Sequence, residues 1–212
     1  EYERMFKAED DHWWYQGMAA LARSILNRHL PVVINREVLD AGCGTGGAMA
    51  SFLREYGHVT GFDLSFGGLV YCKTRQLEHV FAGSVTDIPL ETGHFDLITS
   101  FDVLYHVEDD LKAMRELARV LKPGGHLLLR VPAYEWMRRQ HDIQVSTIRR
   151  YTRNQVKTLF REGGFRSVKL THANTFLFPL AVLNTLIEKF HPPKQDSSEI
   201  AASSGRLNGL FK

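Results

Sequence analysis

From residue 37 onward, short apolar runs alternate with stretches of helical periodicity. The apolar runs predict strands near 37–41, 58–63, 79–82, 95–101, 125–131 and 165–171. The stretches between them predict helices near 46–56, 66–77, 109–121 and 153–163. The run at 95–101 is apolar almost throughout, as expected of a strand that helices cover on both faces. This alternation predicts a doubly wound, Rossmann-like α/β fold, with a mostly parallel sheet and helices on both of its faces.

The segments around this alternation predict three parts of the chain. Residues 1–30 predict a helical lid or extension, residues 31–175 a central domain with an insert at 133–152, and residues 176–212 a hydrophobic helix with a polar tail. The longest apolar run, within 175–187, is too short to span a bilayer. It predicts a helix packed on the domain or on a second subunit, with peripheral contact to a membrane or to substrate as the alternative. A monomer and a homodimer are both compatible with the sequence.

The composition is that of an ordinary globular protein, and it excludes several functions. The 212 residues, 44% hydrophobic and 24% charged, suit one α/β domain with additions. A formal charge of +2 is too small to predict nucleic-acid binding. Cys43 and Cys72 form neither a disulfide framework nor a metal-ligand spacing, so we expect no metal and a reducing, cytoplasmic location.

The most informative motif is a glycine-rich turn directly after the first predicted strand. Its glycines allow a sharp turn and let a ligand lie against the backbone. Because Gly42, Gly44 and Gly47 also fit the dinucleotide fingerprint G-x-G-x-x-G, the turn alone is ambiguous. Asp40 would repel a pyrophosphate there but would favour a ligand with positive charge. S-adenosylmethionine has an amine, a sulfonium and no phosphate, so the turn favours this cofactor over NAD.

Several motifs occur in the order and spacing of a known family. They are Val38–Gly46, Gly61–Ser65, Asp87–Pro89, His94–Ile98, Asp102–Val107 and Leu117–Gly125. Together they resemble the class I S-adenosylmethionine-dependent methyltransferases of the type 11 group, over about residues 12–185. His12–Tyr15 and the segment 141–152 resemble a bacterial subgroup more narrowly. The resemblance implies an enzyme that consumes S-adenosyl-L-methionine and releases S-adenosyl-L-homocysteine. No segment predicts the antiparallel seventh strand with which the sheet of this family normally ends.

The resemblance also implies a cofactor site along the carboxyl ends of the strands. Asp63, at the end of the second strand, would accept hydrogen bonds from both ribose hydroxyls, with a helix N-cap as the alternative role. Leu64 would flank the adenine, and the N–H of Val85 would face an adenine ring nitrogen. Ser84 stands where family members often have an acid, with Asp87 as the alternative adenine contact. The predicted cofactor-binding residues are Asp40, Gly42, Cys43, Gly44, Gly46, Asp63, Leu64, Ser84, Val85 and Phe101.

Aromatic and basic residues outside these motifs predict the acceptor side of the site. Trp13, Trp14 and Tyr15 predict either a lid that excludes water or an anchor for the first helix. The insert combines aromatic and guanidinium groups that suit a saccharide or an anionic small molecule, with a solvated basic loop as the alternative. These residues are Trp136, Arg149, Arg150 and Tyr151.

Two histidines are candidates for a catalytic base. His106 follows the fourth strand, at the expected methyl-transfer site, and His141 stands beside Asp142 in the insert. Packing roles are the alternative, because in-line methyl transfer can rely on alignment alone. The sequence thus predicts transfer of a methyl group from S-adenosylmethionine to an oxygen or nitrogen of a small molecule. An NAD-dependent oxidoreductase and a non-catalytic, cofactor-binding subunit remain as alternatives.

Overall fold

The computed structural model describes residues 2–31, 35–173 and 175–190. The strands within these residues are β1 Arg36–Ala41, β2 Gly57–Asp63, β3 Val80–Ala82, β4 Phe95–Phe101 and β5 Leu121–Arg130. The helices are α1 Tyr2–Glu9, α2 Trp13–His29, α3 Gly47–Ser51, α4 Phe66–Thr74, α5 Asp110–Val120, α6 Gln140–Gln144, α7 Arg153–Glu162 and α8 Phe178–Phe190. Short 3-10 turns cover Leu53–Glu55, Leu104–His106, Glu135–Met137 and Thr175–Leu177. The polar tail predicted after α8 lies outside the described residues.

The described strands form one sheet in the order β3-β2-β1-β4-β5, and every neighbouring pair is parallel. From the central β1 the chain winds outward through β2 and β3, then returns to the other side of β1 with β4 and β5. The predicted doubly wound sheet is therefore confirmed. The reversal opens a crevice at the carboxyl ends of β1 and β4, which is where sheets of this kind bind ligands.

Two hydrophobic cores, one on each face, fix the sheet because side chains alternate along its central strands. Val38 and Leu97 are fully buried on one face, in a core that includes residues of α2, α3 and α4. Leu39 and Ile98 are fully buried on the other face, in a core that includes residues of α5 and α7. Because helices cover both faces of β4, the apolar run at 95–101 has no polar side to present.

The sixth strand predicted at 165–171 is wrong. This segment pairs with no strand in the described part of the chain, and β5 is the edge of the described sheet. Phe165 and Leu170 pack against the core, whereas Val168 is 63% exposed. The apolar residues of this segment are thus used for packing without a hydrogen-bond ladder, a difference that periodicity does not reveal. No described segment forms the seventh strand either.

The helices before β1 pack on the domain at two places. α2 contributes Ala22 and Leu26 to one of the two cores. α1 lies beside α4, where the ring centre of Phe6 is 4.8 Å from that of Tyr71. Among the described helices, none is long and apolar enough to cross a membrane.

Candidate active site

The turn after β1 closes tightly against its neighbours. The N–H groups of Gly42 and Cys43 donate to the carbonyl of Phe62 at 2.8 and 2.9 Å, which ties the turn to β2. Gly42 has a φ of 85°, and a β-carbon there would lie 2.2 Å from Cγ2 of Val103. Both the conformation and the close approach therefore require glycine. The turn begins in the crevice between β1 and the loop that follows β4.

Asp63 ends β2 and orients the same turn. Its Oδ2 accepts the N–H of Gly44 at 2.8 Å, and its Oδ1 accepts the N–H of Ser65 at 2.8 Å. A carboxylate oxygen can accept more than one hydrogen bond, so both oxygens keep capacity for a ligand hydroxyl. The backbone thus holds a carboxylate in the fixed orientation that a ribose diol requires, with the exposed side chain of Leu64 next to it.

Asp40 places a buried carboxyl group at the carboxyl end of β1. Only 2% of its surface is exposed, and its Oδ1 accepts a hydrogen bond from Oγ1 of Thr99 at 2.7 Å. Burial raises the pKa of Asp40 to about 7, although the hydrogen bond from Thr99 opposes this rise. The neighbouring carboxyl groups of Glu9 and Asp63 contribute in the same direction as burial. A positively charged ligand beside this group would favour its ionised form.

Arg75 holds the N-terminal helix against the glycine turn. Its guanidinium lies 3.1 Å from Oε2 of Glu9 and 2.8 Å from Oδ1 of Asp10. Its Nε–H donates to the carbonyl of Thr45 at 3.2 Å, and its charge lies 4.5 Å from the ring centre of Phe6. One side chain therefore joins α1, α4 and the turn.

Glu9 occupies the space beside the start of α3. A β-carbon built at Gly47, the first residue of α3, would lie 2.4 Å from Cδ of Glu9. The Glu9 carboxyl also accepts a hydrogen bond from the hydroxyl of Thr45, and burial raises its pKa. In dinucleotide-binding turns the pyrophosphate lies at this helix start. An acidic side chain there disfavours a phosphate group.

Arg130 joins the ends of β4 and β5 to the aromatic segment of α2. Its Nη2 lies 2.6 Å from Oδ2 of Asp102. The guanidinium carbon lies 5.1 Å from the ring centre of Trp14 and 5.0 Å from that of Phe101. Asp102 has a positive φ of 57°, a costly conformation outside glycine, and its N–H donates to the carbonyl of Arg130 at 3.0 Å. The aromatic segment is therefore anchored at the carboxyl end of the sheet.

These elements enclose a cavity of about 1770 Å³. Pockets for one small ligand commonly measure about 300–1,000 Å³, so this cavity has room for a cofactor together with an acceptor. The predicted residues that line it are Trp13, Trp14, Tyr15, Asp40, Gly42, Cys43, Gly44, Asp63, Leu64, Ser84, Val85, Phe101, His106 and His141. The structure thus brings together the glycine turn, the aromatic segment and both candidate bases.

Ser84 and Asp87 differ in their access to this cavity. Ser84 lines it, and its hydroxyl lies 2.8 Å from Oγ1 of Thr86 while accepting the N–H of Thr86 at 3.2 Å. Asp87 is exposed and is not among the residues that line the cavity. Of these two candidates for the adenine contact, Ser84 lines the cavity and Asp87 does not.

Gly46 and Trp136, both predicted as site residues, do not line the cavity. Gly46 has a φ of 80° but faces α4, where a β-carbon would lie 2.4 Å from Cδ1 of Leu77. A glycine is required at position 46 both by the positive φ of the turn and by the close packing against Leu77. Trp136 is 48% exposed, and its ring lies beside those of Tyr134 and Phe178 on the outside of the insert.

The other predicted acceptor residues of the insert are engaged within the protein. Arg149 pairs with Asp110 at 2.9 Å, and the hydroxyl of Tyr151 donates to the same carboxylate at 2.9 Å. Arg150 donates to both oxygens of Asp142, at 2.9 and 3.0 Å. Burial acts to raise the pKa of Asp142, but the hydrogen bonds from Arg150 hold it below its ordinary value. The structure does not bring Arg149, Arg150 or Tyr151 to the cavity, because these contacts are used to fold the insert.

His106 and His141 approach the cavity from different segments. His106 lies on the turn after β4, with its Nδ1 3.4 Å from the carbonyl of Ser146. His141 lies on α6, in the insert. The predicted partner of His141, Asp142, is engaged by Arg150 and by the N–H of Arg139 at 2.8 Å. A base at His141 would therefore act without orientation by that carboxylate.

Four residues that matter to the site were not predicted. Met5 and Glu9 line the cavity from α1, and Arg130 lines it from β5. Thr99 supplies the hydrogen bond to Asp40 from inside β4. Arg130 had a sequence signal, since it ends a strand whose carboxyl end faces the ligand. Met5 and Glu9 had none, because only the folded chain brings α1 to the turn.

The fold and the site together define the class of protein to which this chain belongs. The protein is a doubly wound α/β protein with a ligand cavity at the switch point of its sheet and carboxyl groups suited to a ribose and to a positive charge. Within it, residues 39–129 match the family model described as "Methyltransferase domain". These residues are therefore similar to a methyltransferase domain.

Two curated relatives resemble the chain beyond that domain. An uncharacterized 37.1 kDa protein in transposon TN4556 of Streptomyces fradiae is 33% identical over 205 residues, which cover 89% of this chain and 59% of that protein. The ubiquinone biosynthesis O-methyltransferase of Escherichia coli is 31% identical over 137 residues, which cover 57% of this chain and 56% of the relative. The chain thus spans less than two thirds of the length of either protein.

A solved structure shares the fold. Phosphoethanolamine N-methyltransferase 2 of Haemonchus contortus, in complex with S-adenosyl-L-methionine, superimposes with a TM-score of 0.64 at 22% identity. The match covers 90% of this chain and 46% of that one. At this level of identity the likeness supports the fold alone.

Proposed function

We propose that this protein is an S-adenosylmethionine-dependent methyltransferase that moves a methyl group to an oxygen or nitrogen of a small-molecule acceptor. One observation carries the proposal. A buried carboxyl group, Asp40, and a backbone-oriented carboxylate, Asp63, line the same cavity as the candidate base His106. The methyltransferase domain at residues 39–129 contains all three.

The residues of the cavity fit the cofactor. S-adenosylmethionine, when bound, supplies a methyl group on a positively charged sulfur. Asp63 would accept the ribose hydroxyls, and the ionised form of Asp40 would favour the positive end of the ligand. Trp14, held by Arg130, would form a wall that keeps water from the reacting atoms.

The acceptor would be held between the cofactor site and the insert. His106 and His141 both line this space, so either ring nitrogen could take the proton of an acceptor hydroxyl or amine. The protein's main contribution would be alignment of the acceptor with the methyl group, which needs no strong base. The similarity to a ubiquinone biosynthesis O-methyltransferase favours oxygen as the acceptor atom.

The arrangement of acids around the glycine turn favours this function over a nicotinamide-dependent one. Glu9 lies where a pyrophosphate would approach Gly47, and Asp40 adds a second carboxyl group behind the turn. Glu9 thus fills the space that a pyrophosphate would need beside Gly47, and neither carboxyl group offers a positive charge to a phosphate. We also propose that the protein belongs to the bacterial subgroup that His12–Tyr15 indicate, and that it is cytoplasmic.

Two measurements test the proposal. Isothermal titration calorimetry should give micromolar or tighter binding of S-adenosylhomocysteine and none of NADH. Replacing Asp63 with alanine should weaken the binding of S-adenosylhomocysteine by about 100-fold, because the change removes two ribose hydrogen bonds to a charged group. Tight NADH binding without S-adenosylhomocysteine binding would overturn the proposal.

Transfer itself is tested with methyl-labelled S-adenosylmethionine and a small-molecule extract. Label should appear in at least one extract component with the wild type and be absent with Asp63→Ala. If S-adenosylhomocysteine binds but no component acquires label, the protein is a non-catalytic, cofactor-binding subunit.

A further inference from the structure

The helix α8 is docked on the insert through polar residues. The carboxylate of Glu188 accepts the Nε–H of Arg139 and the N–H of Gln140, both at 2.6 Å. Thr185, on the same helix, is only 1% exposed. A surface helix of a globular protein ordinarily packs its apolar side inward and leaves its polar side in water. In α8, Thr185 and Glu188 lie inward together with the partly buried Ala181 and Val182, whereas the larger apolar side chains face water.

The apolar side chains of α8 are correspondingly exposed to solvent. Their spacing at positions 180, 183 and 187 places them along one side of the helix. The exposed residues are Leu180 at 49%, Leu183 at 53%, Leu186 at 46% and Ile187 at 51%. No charged residue interrupts the sequence from 173 to 187. We call Leu180, Leu183, Leu186 and Ile187 the α8 stripe. A contiguous apolar surface of this kind normally marks an interaction site.

An aromatic cluster lies at the start of α8, where the helix meets the insert. The ring of Phe178 lies 6.3 Å from that of Trp136 and 6.4 Å from that of Tyr134. Tyr134 stacks on His172 at 5.7 Å, and its hydroxyl lies 3.0 Å from Nε2 of that histidine. Aromatic rings with a polar edge are the side chains that membrane–water interfaces favour.

Charge distinguishes the part of the chain that carries the stripe. Residues 133–188 contain nine Lys and Arg against four Asp and Glu, whereas residues 1–132 contain thirteen against eighteen. The net charges are therefore +5 and −5. Arg166 and Lys169 are exposed in the segment that leads to His172. A net positive charge on the stretch that carries the stripe is complementary to a surface of negative charge.

The dimensions of the stripe favour a lipid surface over a second copy of the chain. α8 has 13 residues, so it is about 20 Å long and about 10 Å wide. The four side chains of the stripe, each about half exposed, offer less accessible area than the roughly 800 Å² that each partner buries in a stable protein–protein interface. A bilayer needs no complementary surface, because binding depends on the side chains inserted and on charge.

We propose that the α8 stripe, together with Trp136 and Phe178, binds this protein to the surface of an anionic lipid bilayer. The helix would lie in the interface plane, with its apolar side towards the acyl chains. The Glu188 contacts connect α8 to α6, and His141 on α6 lines the cavity. The bound membrane would therefore border the acceptor side of the cavity. The proposal stands on the surface alone and does not depend on the proposed methyl transfer.

Vesicle flotation tests the proposal. The vesicles contain phosphatidylcholine, either alone or with roughly a third phosphatidylglycerol. Wild-type protein should float with the anionic vesicles, far less with the neutral ones, and less again at high salt, which screens the charge. The double variant Leu183→Gln/Ile187→Gln should lower the bound-to-free ratio by at least about tenfold, since two inserted side chains are lost. Val70→Gln is the matched control, because Val70 is 62% exposed on α4, away from the stripe.

Three results would overturn the proposal. The first is a wild-type protein that floats with neither kind of vesicle. The second is an equal loss of binding in the Val70→Gln control. The third is a lipid-free dimer, seen by sedimentation velocity, that Leu183→Gln/Ile187→Gln abolishes, which would assign the stripe to a second copy. Thermal unfolding of each variant verifies that the fold is intact.

Discussion

Arg130 and Asp102 form an ion pair, 2.6 Å from Nη2 to Oδ2, between the ends of two adjacent strands. This pair places a guanidinium between Trp14 of α2 and Phe101 of β4. The same positive charge acts to lower the pKa of Asp40. One side chain therefore anchors the aromatic segment and also favours the ionised form of the buried acid, although burial and the hydrogen bond from Thr99 affect that acid more strongly.

Cofactor affinity should depend on pH near 7. Burial raises the pKa of Asp40 to about 7, and a positively charged ligand binds its ionised form better. Affinity for S-adenosylmethionine, which carries both a sulfonium and an amine, should thus fall below pH 7, by up to about tenfold per pH unit. Asp40→Asn should make the affinity independent of pH in this range. Calorimetry from about pH 5.5 to 8.5 measures the affinity of the wild type and of Asp40→Asn. A wild-type affinity that does not change with pH would contradict the role given to Asp40.

The stability of the unliganded protein should show the opposite trend. A carboxyl group whose pKa is raised by folding binds its proton more tightly in the folded state than in the unfolded state. Its contribution to the free energy of unfolding is greatest at low pH and decreases as the pH rises from about 4 to about 7. Above pH 7, Asp40→Asn should therefore melt at a higher temperature than the wild type. Differential scanning fluorimetry at several pH values gives the comparison, and equal melting temperatures at pH 8 would count against it.

Arg130→Gln should move the pH midpoint of cofactor affinity upward. The wild-type guanidinium favours the ionised form of Asp40, so its removal raises the pKa of that carboxyl further. The upward shift should be small compared with the effect of burial, because burial is the main cause of the raised pKa and Arg130 contributes less than Thr99, Glu9 or Asp63. Arg130→Lys is the control, since it keeps the charge and should leave the midpoint in place. The same calorimetric titration measures the midpoints. Identical midpoints for Arg130→Gln and Arg130→Lys would show that the charge of Arg130 does not affect the pKa of Asp40.

Arg75→Ala should release α1 from the glycine turn. The change leaves the buried carboxyl of Glu9 without its positive partner, a loss of about 3 kcal/mol for a buried pair. Trypsin should then cleave after Arg4 or Lys7 at least about tenfold faster, because the docked helix resists cleavage. Lys7→Ala is unsuitable as a control because it removes a cleavage site. Glu3→Ala is suitable, since it breaks only a solvent-exposed pair with Lys7 and leaves both cleavage sites in place. Equal cleavage rates in both variants would remove the role given to Arg75.

Asp142→Ala should separate acceptor binding from cofactor binding. The carboxylate holds Arg150 and the N–H of Arg139, so its loss leaves an uncompensated guanidinium inside the insert. The insert should loosen, and the KM for the acceptor should rise at least about tenfold. Affinity for S-adenosylhomocysteine should stay within about twofold, because the residue lies outside the cofactor motifs. An equal loss of both affinities would mean that the insert supports the whole cavity.

The sequence predicted the sheet well because local signals determine it. Apolar runs located β1 to β5, and the glycine turn and Asp63 followed from their positions at strand ends. The insert could not be predicted in the same way. Arginine ordinarily lies on the surface, so no sequence pattern indicates that Arg150 pairs with Asp142. Only the folded structure shows this pair. The failure at 165–171 has a similar origin, since periodicity reports burial and does not report a hydrogen-bonded neighbour.

The cavity extends beyond the methyltransferase domain at residues 39–129. Residues 2–31 supply Glu9 and Trp14, and the insert supplies His141. Most of the stretch that would bind the methyl donor is therefore encoded in one part of the gene, whereas Trp14 and His141 are encoded on either side of it. Recombination at the two boundaries would exchange these acceptor walls and also the Glu9 contact to the glycine turn, so a new N-terminal stretch would have to preserve that contact.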